Sequence, residues 1–297
     1  MIGIILALIV SFLKSLWEVM GKTYTDTSRV GNIDEYSLAW GTRFLSLIVM
    51  SPLLFFGIPE ISTKMWGILL FSAIIWAIST VSALKALKYG DLSVVSPLNS
   101  LTLPFLLVTG YVIAGESLNI SGYIGVAIIF IWIYFLQIQD AKKWLLAPIR
   151  SLSENQWARY MFLTAFLWSI SSPLDKIWVL ELWALNWMFL SNASISIVLS
   201  LFLLFTKKSL PFREILGKKH IKKLLTISLV WGLSIYLQML ATKYTLVIYV
   251  IALKRASGMF SVFLWYLFFQ EKNIKQKMFS AFLMMLWIGI ISLLWNI

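Results

Sequence analysis

Two adjacent cations, Lys254 and Arg255, lie near the middle of the apolar stretch LVIYVIALKRASGMFSVFLWYLFF at 246–269. A charge near a bilayer centre costs about 2.5–3.5 kcal/mol on insertion scales, so it is expected to face a cavity or a partner. Neighbouring helical residues point about 100° apart, and these two therefore address one cavity from adjacent angles. Groups of that kind bind anions. The competing reading pairs one of them with an acid on another helix and sends the other toward a headgroup. Three further charges fall inside apolar segments: Lys14, Glu18 and Arg43. Lys14 and Glu18 are four residues apart and share a helix face, which makes them either a self-neutralising pair or a coupling site. If they neutralise one another, Arg43, Lys254 and Arg255 leave the interior positive and suited to an anionic ligand. Glu18 is read as the one acid deep enough to carry a coupling proton.

The remaining inventory excludes several chemistries. With no cysteine there is no thiolate nucleophile, disulfide or Cys-ligated metal. The sole histidine, His220, sits in the basic loop KKHIKK without a metal-ligating neighbour. No GxxxxGK[ST] phosphate loop is present, so energy must come from a gradient, exchange or downhill flow. No catalytic residue, metal or cofactor is assigned. A membrane enzyme such as a lipid-modifying transferase would need interfacial His, Asp or Glu clusters, and ranks last among the readings.

The elements that must position these residues are membrane helices. Of 297 residues 60% are hydrophobic and 13% charged, against about a quarter charged in soluble domains, and the mean hydropathy is +0.86. Ten apolar segments of about twenty residues emerge near 2–21, 37–57, 65–84, 92–114, 120–138, 160–178, 183–205, 224–242, 246–269 and 278–296. Continuous apolar runs without period-two alternation predict helices and not a barrel. The first run has no basic leader and is read as a retained helix. A polar, basic linker at 139–159 divides five segments (1–138) from five (160–297).

The halves repeat. ALKYGDLSVVSP from Ala86 aligns with ATKYTLVIYVIA from Ala241 at a shift of 155, and the same shift carries Glu116 onto Glu271. Gly21–Lys22 aligns with Asp175–Lys176 at a shift of 154. An odd number of helices per repeat inverts the second copy, an arrangement found in transporters. The fold class is therefore all-α membrane protein, ten transmembrane helices in two inverted five-helix repeats. The same register sets Asn99 opposite Lys254 and Ser100 opposite Arg255, so these polar residues join the candidate site. Pro97 and Pro104 flank Asn99 and are expected to bend its helix.

Lys22 and Lys176, the stretch ALKYGDLSVVSPLNSLTLPF, and Glu116 and Glu271 together resemble the drug/metabolite transporter superfamily, in particular its EamA-type permeases. Arg43 matches the basic residue often found in the second helix of such repeats, whereas the second half carries Asn192 in FLSNAS. The resemblance implies carrier-type transport of a small metabolite across a cytoplasmic membrane. The favoured cargo is anionic or zwitterionic: an amino acid, organic acid or organic phosphate. Lys254, Arg255, Asn99, Ser100 and Arg43 would form the binding site. A flippase for an anionic lipid or polyprenyl phosphate is the alternative on the same fold. The expected partners are the small-molecule substrate and the lipid bilayer, with no nucleic acid, and the protein would act as a monomer or homodimer.

Loop charges predict orientation. Eighteen Lys and Arg residues fall in odd-numbered connections and three (Lys64, Lys176, Lys243) in even ones, which places the odd loops in the cytoplasm and both termini outside. Trp66, Trp144, Trp157 and Trp183 lie near segment ends and read as interface anchors, while Trp17, Trp40, Trp76, Trp168 and Trp265 lie deeper. Ser169, Ser171 and Ser172 ahead of Pro173 read as helix-packing residues, as do Ser191, Asn192 and Gln238.

Overall fold

A computed structural model describes residues 2–25, 33–52, 63–90, 98–120, 122–128, 152, 154–207, 211, 217, 220–254, 257 and 260, apart from the side chains of Lys64 and Lys207. Every regular element among them is helical. The helices are α1 (Ile2–Thr25), α2 (Glu35–Met50), α3 (Thr63–Tyr89), α4 (Thr102–Ala114), α5 (Gln156–Glu181), α6 (Ala184–Lys207), α7 (Ile221–Tyr244) and α8 (Val247–Lys254). A further helical run covers 122–128. At 1.5 Å per residue the 24 residues of α1 extend about 36 Å, beyond a hydrocarbon core of about 30 Å. Four described helices are long and apolar enough to cross a membrane: Ile2–Thr25, Met65–Tyr89, Ala184–Thr206 and Ile221–Tyr244. The predicted tenth segment and most of the ninth, with Arg255, Trp265 and Glu271, lie outside the described residues, as does most of the linker at 139–159.

Local chemistry sets the helix ends. Asp34 caps α2 by accepting hydrogen bonds from the backbone N–H groups of Tyr36 and Ser37 at 3.1 and 3.2 Å. Helix α4 stops at Gly115, whose φ of 65° is left-handed and natural only to glycine; the N–H of Glu116 then turns back to the Gly110 carbonyl. Pro173 lies inside α5 and cannot donate to the carbonyl of Ser169 four residues earlier. Thr109 of α4 supplies the missing donor, its hydroxyl reaching that carbonyl at 2.6 Å. Pro104 falls in the first turn of α4, where its missing N–H is harmless, and Leu101, between the helical turn at 98–100 and α4, keeps a right-handed helical backbone (φ −58°, ψ −15°). Pro97 lies outside the described residues.

Packing is reciprocal between the halves. The most extensive helix interfaces are α1 against α7 and α3 against α5, so the first helix of each half lies on the third helix of the other. Helices α2 and α6 face each other, α2 also packs on α7, and α3 on α6. Helix α4 packs on α5 as α8 packs on α1.

The radial distribution of side chains is inverted relative to a water-soluble bundle. On α1 the exposed residues Ile5, Ile9 and Phe12 form one stripe, and Val10, Lys14, Trp17 and Gly21 form the buried one. On α3, Leu70, Ile74 and Ile78 are exposed while Ser72, Trp76, Ser79 and Thr80 are buried. Apolar groups outward and polar groups inward suit a hydrocarbon solvent, which cannot hydrogen-bond. Trp66 and Trp183 are exposed, as expected of interface anchors, and Trp17, Trp40, Trp76 and Trp168 are buried.

Candidate functional site

The polar groups of four long helices converge on Arg43. Its side chain is 2% exposed and lies where α2 meets α3, α6 and α7. Nη1 donates to Asn192 Oδ1 at 3.1 Å and Nη2 to Thr80 Oγ1 at 2.9 Å. The guanidinium lies 4.2 Å from the Trp231 ring centroid and 5.1 Å from that of Trp76, within cation–π range of both. Its Nε is buried and has no hydrogen-bond partner among the described residues. Arg43 and Asn192, its loose counterpart in the second half, thus meet directly.

Asp175 of α5 is 1% exposed beside this cluster. Trp76 Nε1 donates to both of its carboxylate oxygens, at 3.0 and 3.3 Å, and Ser72 Oγ donates to one at 3.4 Å. Among the described residues its hydrogen-bond donors are neutral. Trp76 therefore stands between an acid and a cation, bonding one through its N–H and presenting its face to the other.

Lys14 and Glu18 form the anticipated pair across one turn of α1, 3.4 Å apart and both buried. Lys14 Nζ also lies over the rings of Trp17 (4.0 Å) and Trp168 (4.6 Å). Trp17 contacts Trp231 at 5.2 Å between centroids, and Trp76 contacts Trp168 and Trp231 at 6.3 and 6.4 Å. Four indoles thus form a continuous array, with Lys14 against one pair of rings and Arg43 against another.

Lys254 is buried at the end of α8, where its ammonium bonds Gln238 Oε1 of α7. Asn99 and Ser100 are both buried in the turn ahead of α4, and Asn99 Oδ1 has no hydrogen-bond partner among the described residues. Arg255 lies outside the described residues. Gln238, read from the sequence as a packing residue, packs α7 on α8 by accepting this hydrogen bond from Lys254. Ser169, Ser171 and Ser172 bond backbone carbonyls of their own helix, consistent with a packing role.

A second polar cluster joins the halves at one end of α5. Glu116 Oε1 accepts from Lys176 Nζ at 2.5 Å, and both carboxylate oxygens accept from the backbone N–H of Val247 at 3.0 Å. Leu246 precedes α8 and has no side-chain acceptor, so Glu116 caps that helix from a distant part of the chain. Lys176 also donates to the carbonyl of Thr245 at 3.2 Å. In the first half Lys22 donates to the carbonyl of Gly90 at 3.1 Å. Gly90 and Thr245 are equivalent at the shift of 155, so the two lysines repeat one contact.

The sequence reading missed Asp175. It treated the Asp175–Lys176 pair as the close of the sixth segment and Glu18 as the one deep acid, whereas α5 continues to Glu181 and Asp175 is buried. Lys176 and Lys243, counted as loop charges, are likewise helical. The available signal was the 154 register, which exchanges Gly21 for an acid at a helix-packing position; Gly21 packs against Leu84 on α3.

Residues 1–138 match the EamA-like transporter family. A 70-residue stretch is 34% identical to an uncharacterized transporter in the cobO 3′ region of a Sinorhizobium species, over 24% of this chain and 50% of that protein. The chain thus spans about half the length of the curated relative it matches. A protein of known crystal structure shares the fold at a TM-score of 0.72, with 14% identity over 99% of this chain and 96% of that one. The first 138 residues are thus similar to the EamA-like transporter family, and the chain is a multi-pass membrane protein.

Proposed function

We propose that this protein is a secondary transporter of a small anionic or zwitterionic metabolite, built as two inverted five-helix repeats in the cytoplasmic membrane. The observation that carries the reading is Arg43: a buried guanidinium between the halves, oriented by Asn192, Thr80 and two indoles, with its Nε donor unmatched. A buried donor without a partner costs about 1–3 kcal/mol, which a ligand acceptor relieves. Asn99 offers an acceptor unmatched among the described residues, and Lys254 a second buried cation. The reciprocal packing of first and third helices supports rocking of one half against the other around this centre.

The test is a thermal-shift screen of detergent-purified protein against amino acids, organic acids, sugar phosphates and nucleotides, repeated on Arg43→Gln and on Lys254→Gln, Arg255→Gln. A ligand of the folded state raises the melting temperature by mass action. One anionic or zwitterionic class should stabilise the parent and fail to stabilise the variants. Stabilisation by neutral compounds or cations alone, equal in all three proteins, would overturn the assignment.

A further inference from the structure

We infer that the group held at Arg43 is the carboxylate of a monocarboxylic acid, bound by the Arg43 Nε–H and the Trp231 indole N–H, with the hydroxyls of Ser196 and Ser228 as further donors. The inference rests on the reading of Arg43 as the anion site and names the chemical class that site takes. Arg43 Nε, Trp231 Nε1, Ser196 Oγ and Ser228 Oγ are buried, and each lacks a hydrogen-bond partner among the described residues. They belong to α2, α6 and α7, three helices in mutual contact. The guanidinium carbon of Arg43 lies 4.2 Å from the Trp231 ring centroid, and Nε is one bond from that carbon. One carboxylate can therefore take both N–H groups. Asn192 accepts from Arg43 Nη1 at 3.1 Å, and Ser196 follows Asn192 by one turn of α6. Ser228 precedes Trp231 by one turn of α7. Buried polar groups are almost always satisfied, so four on one helix junction call for acceptors that these helices do not supply.

The second indole at Arg43 cannot serve in the same way, because the N–H of Trp76 is committed to Asp175. Two of the four groups, the guanidinium and indole N–H, only donate, and the serines can donate as well. Such a set is the complement of an oxyanion. An ammonium on the ligand would add donors where donors are already in surplus, which disfavours an α-amino acid.

Charge then separates a carboxylate from a phosphate. Arg43 brings one positive charge, and Lys14 on the neighbouring α1 is paired with Glu18. A phosphate monoester carries about −1.5 to −2 at pH 7 and would leave negative charge without compensation in a buried site. A carboxylate carries one charge on two coplanar oxygens, the shape that a guanidinium fork matches.

The experiment uses full-length protein in nanodiscs, titrated calorimetrically at pH 7.5 with acetate, benzoate, L-lactate, L-alanine, methyl phosphate and inorganic phosphate. At least one monocarboxylate should bind, and L-alanine and both phosphates at least about tenfold more weakly. Trp231→Phe keeps a ring beside Arg43 and removes the N–H; it should weaken that monocarboxylate about ten- to a hundredfold, as loss of one hydrogen bond to a charged group does. Ser196→Ala should weaken it by about tenfold while the ligand-free protein melts no lower than the parent. A serine with a purely structural role would lower the melting temperature and leave the affinity, and this readout does not depend on Trp231→Phe folding. Arg43→Gln, which should abolish binding, locates each probe at this site. L-Alanine or a phosphate binding there more tightly than every monocarboxylate, or monocarboxylate affinity unmoved by Trp231→Phe and Ser196→Ala, overturns the carboxylate assignment and leaves the anion site standing. Binding of no probe, or binding that survives Arg43→Gln intact, overturns the anion site and the assignment with it.

Discussion

Glu116 provides a measurable test of how the halves are tied together. Its side chain is 6% exposed and that of its partner Lys176 13%. Breaking a buried pair costs about 3–5 kcal/mol because one charge is left without compensation. Partial access to water places this pair at the lower end of that range. Glu116→Gln keeps an oxygen for the Val247 N–H and loses the charge, for an expected cost of about 3 kcal/mol. Glu116→Ala also loses the helix cap, adding about 1 kcal/mol. A chain of this size loses roughly 2 °C per kcal/mol, so Glu116→Gln should melt about 6 °C below the parent and Glu116→Ala about 8 °C below. The assay is a detergent melt followed by aggregation or dye binding, run in a cycle with Lys176→Met. The double variant should recover at least about 1 kcal/mol relative to the sum of the singles, because neither charge is then stranded. A Glu116→Gln protein melting within about 1 °C of the parent, with purely additive singles, would refute the account of this cluster.

Thr109→Val strands the Ser169 carbonyl freed by Pro173 and should cost about 1–3 kcal/mol, but much less in a Pro173→Ala background, where the helix supplies its own donor; melts of the four proteins check this. Gly115→Ala meets open space yet forces a left-handed φ, so it should destabilise by about 1–2 kcal/mol, and Gly115→Asn by less. Because the chain has no cysteine, single cysteines report topology without background. Thr63→Cys should react with an impermeant maleimide in intact cells and Asn155→Cys only after lysis; the reverse pattern would invert the orientation drawn from the loop charges.

The helices were legible in the sequence because a bilayer imposes long apolar runs. The offset of 154 already aligned Lys22 with Lys176, and each donates to a backbone carbonyl, of Gly90 and of Thr245. The Lys14–Glu18 pair was legible too, since its spacing alone puts both residues on one face. Asp175 was not. A carboxylate ends an apolar run in any local reading, and what keeps it inside α5 is Trp76 and Ser72 of α3, about a hundred residues away in the chain. Gln238 was passed over for the same reason: its partner, Lys254, lies on a different helix. Local patterning specifies which face of a helix is buried, whereas the pairing of buried polar groups depends on how the helices come together.

The indole array gives the protein an internal optical probe. Trp76 bonds Asp175 through its N–H and faces Arg43 with its ring, so a charge gained or lost on either side changes the electric field across one chromophore. Indole emission shifts in energy with such a field, and Trp168 and Trp231 lie close enough to exchange excitation with Trp76. Events at the charged centre are thus written into the intrinsic fluorescence without any label, and the difference between parent and Trp76→Phe spectra isolates that signal from the tryptophans at the membrane edge.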